Sequence, residues 1–238
     1  MQVVILAGGL GSRLSEETDV IPKPMIEIGK RPILWHLIDF FASQGLKEII
    51  VATGYKSEII ESFVDSKMFH NYSIKAGVDV KCVFTGENSL TGTRLYKLKA
   101  FMRDEFIVTY GDGLTDMRID SLIKFHRRKG KVATVTAVHP PARFGSLKIK
   151  NDLVLEFDEK NPQKEGWING GFICTSSDIF NFIPNKDTSL ESLPMSNLVS
   201  ARELVAYKYE GWWYAMDTIR DKRELQRMWD DGTAPWNK

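Results

Sequence analysis

Short apolar runs alternate with stretches of helical periodicity over the first 140 residues of this chain of 238 residues. The β-branched runs predict strands at 3–6, 48–52, 78–84, 106–110 and 132–138. Helical spacing predicts helices between Pro32 and Gly45 and at 57–64, 91–99 and 119–129, with Ser57 capping the second. Such alternation is typical of an α/β fold in which helices cover both faces of a parallel sheet.

The remaining residues show a more mixed pattern. A hairpin is predicted at 146–149 and 153–157 around Asn151-Asp152, followed by a strand at 172–175, a short helix at 176–182 and strands at 204–209 and 213–215. Asp217 or Thr218 is expected to cap a last helix that ends near Gly232. Because no linker composition interrupts the chain, we expect one domain over 1–238, with 1–140 and 141–238 as its two halves.

Charge and cysteine content exclude several classes of protein. The chain has 32 basic and 31 acidic residues, so no strong field attracts nucleic acid or an anionic membrane. Its N-terminus lacks the positive region of a signal peptide, and its apolar run is too short to span a bilayer. The two cysteines, Cys82 and Cys174, have no metal-type spacing, which predicts reduced thiols and a cytoplasmic location.

A glycine-rich loop follows the first predicted strand. Residues 6–14 read Leu-Ala-Gly-Gly-Leu-Gly-Ser-Arg-Leu, and consecutive amides in such a loop can bind an anion. Arg13 adds a fork that can hold two phosphate oxygens. The pattern is neither Walker A nor the dinucleotide fingerprint, which disfavours a dinucleotide-dependent oxidoreductase. A tight turn with a solvated arginine is the alternative interpretation.

Lys23 lies between two prolines in Ile-Pro-Lys-Pro-Met. The prolines stiffen the backbone, so that a lysine there loses little entropy when it holds a phosphate. The alternative is a lysine on the surface of a loop.

Together these motifs resemble those of the sugar-phosphate nucleotidylyltransferases. The resemblance extends through Tyr110-Gly111-Asp112-Gly113, Phe144-Gly145, Glu159-Lys160, Asn169-Gly170-Gly171 and Met216-Asp217-Thr218. Within that family, the chain is most similar to the glucose-1-phosphate cytidylyltransferases, on the stretches 15–18, 33–36, 91–95, 216–222 and 234–236. The compact segment 71–84 departs from that subfamily, which leaves the acceptor and any homo-oligomer open.

The resemblance implies a Rossmann-like α/β fold with a mixed, mostly parallel sheet and helices on both faces, of the nucleotide-diphospho-sugar transferase type. It implies a Mg²⁺-dependent transfer of a nucleoside monophosphate from a nucleoside triphosphate, expected to be CTP, to a sugar 1-phosphate, expected to be glucose 1-phosphate. Pyrophosphate is released. The first half of the chain would then bind the nucleotide, and the second half would bind the acceptor.

Asp112 and Asp217 are the predicted metal ligands. Each follows a predicted strand at a break, and each matches a metal-binding aspartate of the family. Hard Mg²⁺ prefers carboxylate oxygens and can bridge phosphates. From the residues alone, Asp112 could instead be a turn residue and Asp217 a helix cap.

The resemblance also assigns residues to the two substrates. Arg13 and Lys23 are the predicted catalytic residues. The predicted nucleotide contacts are Leu6, Ala7, Gly8, Gly9, Gly11, Ser12, Arg13, Lys23, Thr85, Gly86, Thr91, Gly92, Arg94, Gly111 and Asp112. The predicted acceptor contacts are Gly145, Glu159, Lys160, Asn169 and Gly170.

Some alternatives stay open. Arg94 contacts base or phosphate, or lies on a helix surface, and Phe144 lines the sugar pocket or belongs to the core. His36, His70, His126 and His139 have no spacing that suggests chemistry. The same reaction could use another base, such as that of UTP or dTTP, or another phosphorylated acceptor. An inactive regulatory subunit that binds nucleotide sugar is disfavoured, because Arg13, Lys23, Asp112, Lys160 and Asp217 are all present.

Overall fold

A sheet of seven strands is the centre of the computed structural model, which describes residues 1–11, 18, 20–141, 146–158 and 166–237. The strands of the described residues are β1 (Gln2–Leu6), β2 (Glu27–Ile28), β3 (Arg31–Pro32), β4 (Glu48–Thr53), β5 (Asp79–Phe84), β6 (Glu105–Tyr110), β7 (Gly113–Thr115), β8 (Ala133–Val138), β9 (Ser146–Lys150), β10 (Leu153–Asp158), β11 (Ile168–Ser176), β12 (Leu204–Lys208) and β13 (Trp213–Ala215). The α-helices are α1 (Ile33–Ser43), α2 (Ser57–Val64), α3 (Lys67–Ala76), α4 (Thr91–Lys97), α5 (Ile119–Lys129), α6 (Leu193–Ser200) and α7 (Ile219–Asp230). None of the helices in these residues is long and apolar enough to cross a membrane.

The order of the large sheet is β12-β8-β11-β6-β1-β4-β5. All neighbouring pairs are parallel except those of β11, which is antiparallel to both β6 and β8. The sheet is therefore mixed and mostly parallel, which confirms the predicted fold class. Strands from both halves of the chain build it.

Burial on both faces explains why the strands are nearly continuous apolar runs. All five residues of β1 are buried. Val3 and Ile5 pack into one core with α1, which is apolar almost throughout, while Val4 and Leu6 pack into a second core with α4 and α6. Helices thus cover both faces, as the sequence predicts.

Several local predictions are confirmed and others are corrected. The hairpin of β9 and β10 turns at Asn151 and Asp152, which both have positive φ, as a tight two-residue turn requires. Ser57 does not cap α2, because the capping position belongs to Lys56 and no side chain accepts a hydrogen bond there. Thr218, and not Asp217, caps α7 in a capping box with Asp221, which leaves the carboxylate of Asp217 available for another role.

Helix α3 was not predicted, since its only buried residue is Phe69 and its apolar stripe is weak. Its end signals are nevertheless in the sequence. Ser66 caps the helix by accepting a hydrogen bond from the amide of Phe69, and Gly77 ends it with a φ of 62°. Helix α6 was also missed.

Candidate active site

A cavity of about 340 Å³ opens where the strand order reverses, at the carboxyl ends of β1 and β6. The chain passes from β1 through β4 to β5 on one side of the sheet, and then returns to place β6 on the other side of β1. Such reversals are where α/β sheets bind ligands. Ten predicted nucleotide contacts line the cavity, namely Leu6, Ala7, Gly8, Gly9, Gly11, Lys23, Thr91, Arg94, Gly111 and Asp112.

Asp112 and Asp217 lie next to each other because a small antiparallel ladder joins the segments that carry them. Strand β7 starts directly after Asp112 and pairs with β13, which ends just before Met216. The amide of Met216 also donates to the carbonyl of Asp112 at 2.9 Å. Two carboxylates from opposite halves of the chain therefore meet at one point.

Lys23 occupies that point. Its ammonium donates to Oδ2 of Asp112 at 2.6 Å and to Oδ1 of Asp217 at 2.8 Å. Burial disfavours the charged lysine, but attraction to Asp112 and hydrogen bonds to both aspartates outweigh it, so the pKa of Lys23 lies above its ordinary value. The alternative of a lysine on the surface of a loop is therefore wrong, because the side chain of Lys23 is only 12% exposed.

The backbone around Lys23 is held as the flanking prolines suggest. Lys23 begins a short 3-10 helix, Lys23–Met25, and Pro24 packs against Gly111. A Cβ atom on Gly111 would lie 2.8 Å from Cγ of Pro24, so only glycine allows this approach. The lysine thus comes from a rigid segment packed against the strand end that carries Asp112.

The two carboxylates fit a hard divalent cation. They already converge on a cationic atom, and their oxygens are the donors that Mg²⁺ prefers. The described residues contain no group of three or more His, Cys, Asp or Glu side chains that could hold a metal. A cation held here would have to take its other ligands from water and substrate phosphates, which is the usual arrangement for Mg²⁺.

Arg94 fixes the glycine loop from behind. Its side chain is 2% exposed, and Nη2 donates to the carbonyl of Gly8 at 2.7 Å. Nη1 donates to the carbonyls of Thr53 and Gly86 at 2.9 and 2.8 Å. The helix-surface alternative for Arg94 is therefore wrong, because its guanidinium joins the loops that follow β1, β4 and β5.

Three further residues that were predicted to contact the nucleotide make structural contacts. The hydroxyl of Thr85 is buried, donates to the carbonyl of Thr53 and accepts from Arg94, so it is not presented to a base. Gly86 offers its carbonyl to Arg94. At Gly92 a Cβ atom would lie 2.9 Å from the carbonyl oxygen of Thr188, so a side chain would not fit and close packing explains why this residue is glycine. None of the three lines the described part of the cavity.

Comparison with known proteins agrees with this geometry. The nucleotidyl transferase family matches residues 2–231. A glucose-1-phosphate cytidylyltransferase of Salmonella typhimurium is 40% identical over 99% of this chain and 98% of its own length. The chain belongs to the nucleotidyl transferase family.

Other proteins that are similar to this chain are named for other nucleotides. A D-glycero-alpha-D-manno-heptose 1-phosphate guanylyltransferase of Campylobacter jejuni is 34% identical over 76% of this chain and 78% of its own. A UDP-glucose pyrophosphorylase solved with UDP-glucose has the same fold, with a TM-score of 0.73 over 97% of this chain and 98% of its own at 16% identity. The Salmonella alignment spans 253 positions, more than this chain has, so that relative contains residues without a counterpart here.

The structure describes only two of the predicted acceptor contacts. Asn169 and Gly170 lie in β11, beside the cavity rather than in its lining. Gly170 packs on β8, where a Cβ atom would lie 2.8 Å from Cγ1 of Val138. Ser12, Arg13, Phe144, Gly145, Glu159 and Lys160 lie outside the described residues.

Four polar residues that line the described cavity were not predicted, namely Ser89, Tyr110, Ser189 and Glu191. Tyr110 and Glu191 both line it, and the hydroxyl of Tyr110 donates to Glu191. Tyr110 belongs to the motif Tyr110-Gly111-Asp112-Gly113, but no role was predicted for it. Its position at the end of a strand is itself a signal of a ligand contact. Glu191 follows no motif, and only the fold brings it to the cavity.

The histidines are not among the cavity residues that the structure describes. His36 is buried in α1, and its Nε2 lies 2.9 Å from the carbonyl oxygen of Ile28. Burial lowers its pKa, as expected for a neutral core histidine. Cys82 and Cys174 are both free, in agreement with the prediction of reduced thiols.

Proposed function

We propose that this protein transfers the cytidylyl group of CTP to glucose 1-phosphate and releases pyrophosphate. The observation that carries the proposal is the convergence of Asp112, Asp217 and Lys23 beside a glycine loop at the reversal of the strand order. The Salmonella relative, similar over nearly the whole chain, supports CTP and glucose 1-phosphate as the substrates.

In this reaction a phosphate oxygen of glucose 1-phosphate attacks the α-phosphorus of CTP. The new phosphorus–oxygen bond forms as the bond between the α-phosphorus and the bridging oxygen breaks, and pyrophosphate leaves with that electron pair. The attacking oxygen is already anionic, so no general base is needed, and the task of the protein is alignment and charge neutralisation.

The residues of the site suit that task. The amides of the glycine loop and the guanidinium of Arg13 would bind the triphosphate, and Lys23 would turn to the phosphates when they enter. Asp112 and Asp217 would hold Mg²⁺. When bound, this ion neutralises charge that develops on the phosphate oxygens.

The proposal includes one domain over 1–238, with the acceptor bound by the second half. Support comes from the sheet, since β11 and β12 of the second half pair with β6 and β8 of the first half. Two further residues of the second half lie near residues of the first half at the edge of the sheet where the glycine loop lies. Asp217 contacts Lys23, and Asn169 lies near the hydroxyl of Tyr110.

Substrate choice can be tested with a panel of CTP, UTP, dTTP and GTP against several sugar 1-phosphates, with pyrophosphate release as the readout. We expect the highest kcat/KM with CTP and glucose 1-phosphate, and no turnover when a chelator removes Mg²⁺. Equal or better turnover with another triphosphate would reject the assignment of CTP. Binding of CDP-glucose without turnover of any pair would favour the regulatory subunit.

Lys160→Ala is expected to weaken the binding of the acceptor more than the binding of the nucleotide. The loss of one charge-assisted phosphate contact should cost about 1.5–3 kcal/mol in kcat/KM for the sugar phosphate. The Kd of CTP, measured by calorimetry, should stay near that of the unmodified protein. The exposed Lys124 pairs with Asp120 on α5 and provides the control variant Lys124→Ala. A collapse of CTP binding in Lys160→Ala would assign this lysine to the nucleotide instead.

A further inference from the structure

Four polar side chains form a continuous row, namely Asn169, Tyr110, Glu191 and Thr91, and the last three of them line the cavity. The hydroxyl of Tyr110 donates to Oε1 of Glu191, and Nδ2 of Asn169 lies 3.5 Å from the same hydroxyl. At the other end, the hydroxyl of Thr91 donates to Oε2 of Glu191 at 2.8 Å. The row therefore runs from the start of α4 to β11.

The direction of each hydrogen bond in the row is determined. The carboxylate of Glu191 can only accept, so the phenol of Tyr110 donates its proton to it. The carbonyl oxygen of the Asn169 side chain accepts from the amide of Gly171 at 3.0 Å. This leaves the Asn169 amino group to face the phenolic oxygen of Tyr110.

The backbone that carries Glu191 is held in place independently of Tyr110. The segment 187–192 docks on the first turn of α4, where the amide of Leu190 donates to Oγ1 of Thr91 at 2.8 Å and the amide of Thr188 to Oγ1 of Thr93 at 2.9 Å. The absence of a side chain at Gly92 permits this approach. These bonds fix the backbone that carries Glu191, whereas its carboxylate is held by Thr91 and Tyr110.

The ring of Tyr110 is also fixed by packing. A Cβ atom on Gly171, which has a φ of 86°, would lie 2.5 Å from Cδ2 of Tyr110. The ring therefore rests on the backbone of β11, the strand that carries Asn169. Removal of the hydroxyl alone should leave this packing intact.

We infer that Tyr110 and Glu191 are positioning residues that couple the two substrate sites of the proposed reaction. This inference rests on the proposed function, in which Thr91 is on the nucleotide side and Asn169 is on the acceptor side. A nucleotide that orders Thr91 and Glu191 also orders Tyr110 and Asn169, so the acceptor finds its contacts already fixed. By thermodynamic reciprocity, the acceptor strengthens nucleotide binding by the same factor.

The coupling can be measured with α,β-methylene-CTP, which cannot release pyrophosphate. Its Kd is determined by calorimetry with and without glucose 1-phosphate, in the presence of Mg²⁺. In the unmodified protein we expect glucose 1-phosphate to tighten binding at least about fivefold. In Tyr110→Phe and in Glu191→Gln this factor should fall below about twofold, while the Kd of the analogue alone changes little.

Kinetics provide a second readout that a general loss of stability would not reproduce. In Tyr110→Phe, the KM of glucose 1-phosphate should rise about tenfold, the scale of one lost hydrogen bond, while kcat at saturation stays near that of the unmodified protein. Because the two residues act through one contact, the double variant should be little worse than either single variant.

Tyr96→Phe is the matched control, since Tyr96 lies on α4, is 39% exposed and does not line the cavity. It should keep the full coupling. Unchanged coupling in Tyr110→Phe, or its absence in the unmodified protein, would overturn the inference. Absence of turnover with every triphosphate would reject the proposed function instead, and the two results are separate because coupling is measured by binding.

Discussion

Asp112→Asn and Asp217→Asn are each expected to reduce kcat at least about 100-fold, and the double variant is expected to be little worse than either. The two carboxylates converge within 2.6 and 2.8 Å of one atom of Lys23, so we expect them to hold one shared Mg²⁺. Once either ligand is lost, the shared site is lost, and the second substitution removes little more.

The measurement is pyrophosphate release for both single variants and the double variant, with circular dichroism as the test of folding. Asp120→Asn is the matched control, because Asp120 is an exposed aspartate on α5 that pairs only with Lys124 among the described residues. It should keep full activity. Near-normal kcat in a folded Asp112→Asn or Asp217→Asn protein would contradict the shared site, as would a double variant whose loss equals the product of the single losses.

Arg94→Lys is expected to lower the free energy of unfolding by about 3–5 kcal/mol, because several carbonyls lose a charged donor inside the protein. Lysine brings one compact ammonium, which cannot reach the carbonyls of Gly8, Thr53 and Gly86 together as the planar guanidinium does. Nucleotide binding should weaken as well, since Arg94 holds the glycine loop in place. Urea unfolding followed by circular dichroism measures the loss.

The same substitution at an exposed arginine is the control for this prediction. Arg103 pairs with Glu48 at the surface and is 65% exposed, so Arg103→Lys should cost less than about 1 kcal/mol.

Two glycines of the loop offer a further comparison. A Cβ atom on Gly8 would lie 2.2 Å from Nη1 of Arg94, whereas one on Gly9 meets nothing within 4 Å. Gly8→Ala should therefore destabilise the fold and Gly9→Ala should not, and equal stability of Arg94→Lys and the unmodified protein would refute this account of Arg94.

Hydrophobic periodicity determined most of the fold. Helix α5 has the predicted bounds, Ile119–Lys129, because its apolar stripe is clear and Gly130 ends it. Strand β1 was predicted to within one residue, since a fully buried strand has no polar position to interrupt it. Helix α3 was missed for the opposite reason, because a helix with one buried residue has no apolar period to detect.

The sequence also determined part of the site. The glycine loop, the prolines around Lys23 and the two aspartates identified part of the site through their combined resemblance to the family, because each residue type by itself is also common in turns and helix caps. Their assembly did not follow from that pattern. The ladder of β7 and β13, which joins Asp112 to Asp217, consists of three residue pairs. Strand β13 was predicted, but β7 was not, and no local pattern indicates that the two pair.

Only the tertiary structure decided the roles of Arg94 and Glu191. Each is an ordinary charged residue in its local context, and a charged residue in a helix or loop is usually solvated. The chain topology buries Arg94 behind the glycine loop and brings Glu191 against Tyr110, across contacts that join residues far apart in the sequence. Local patterns report which face of an element is apolar, but the polar partner of a distant side chain depends on how the elements pack.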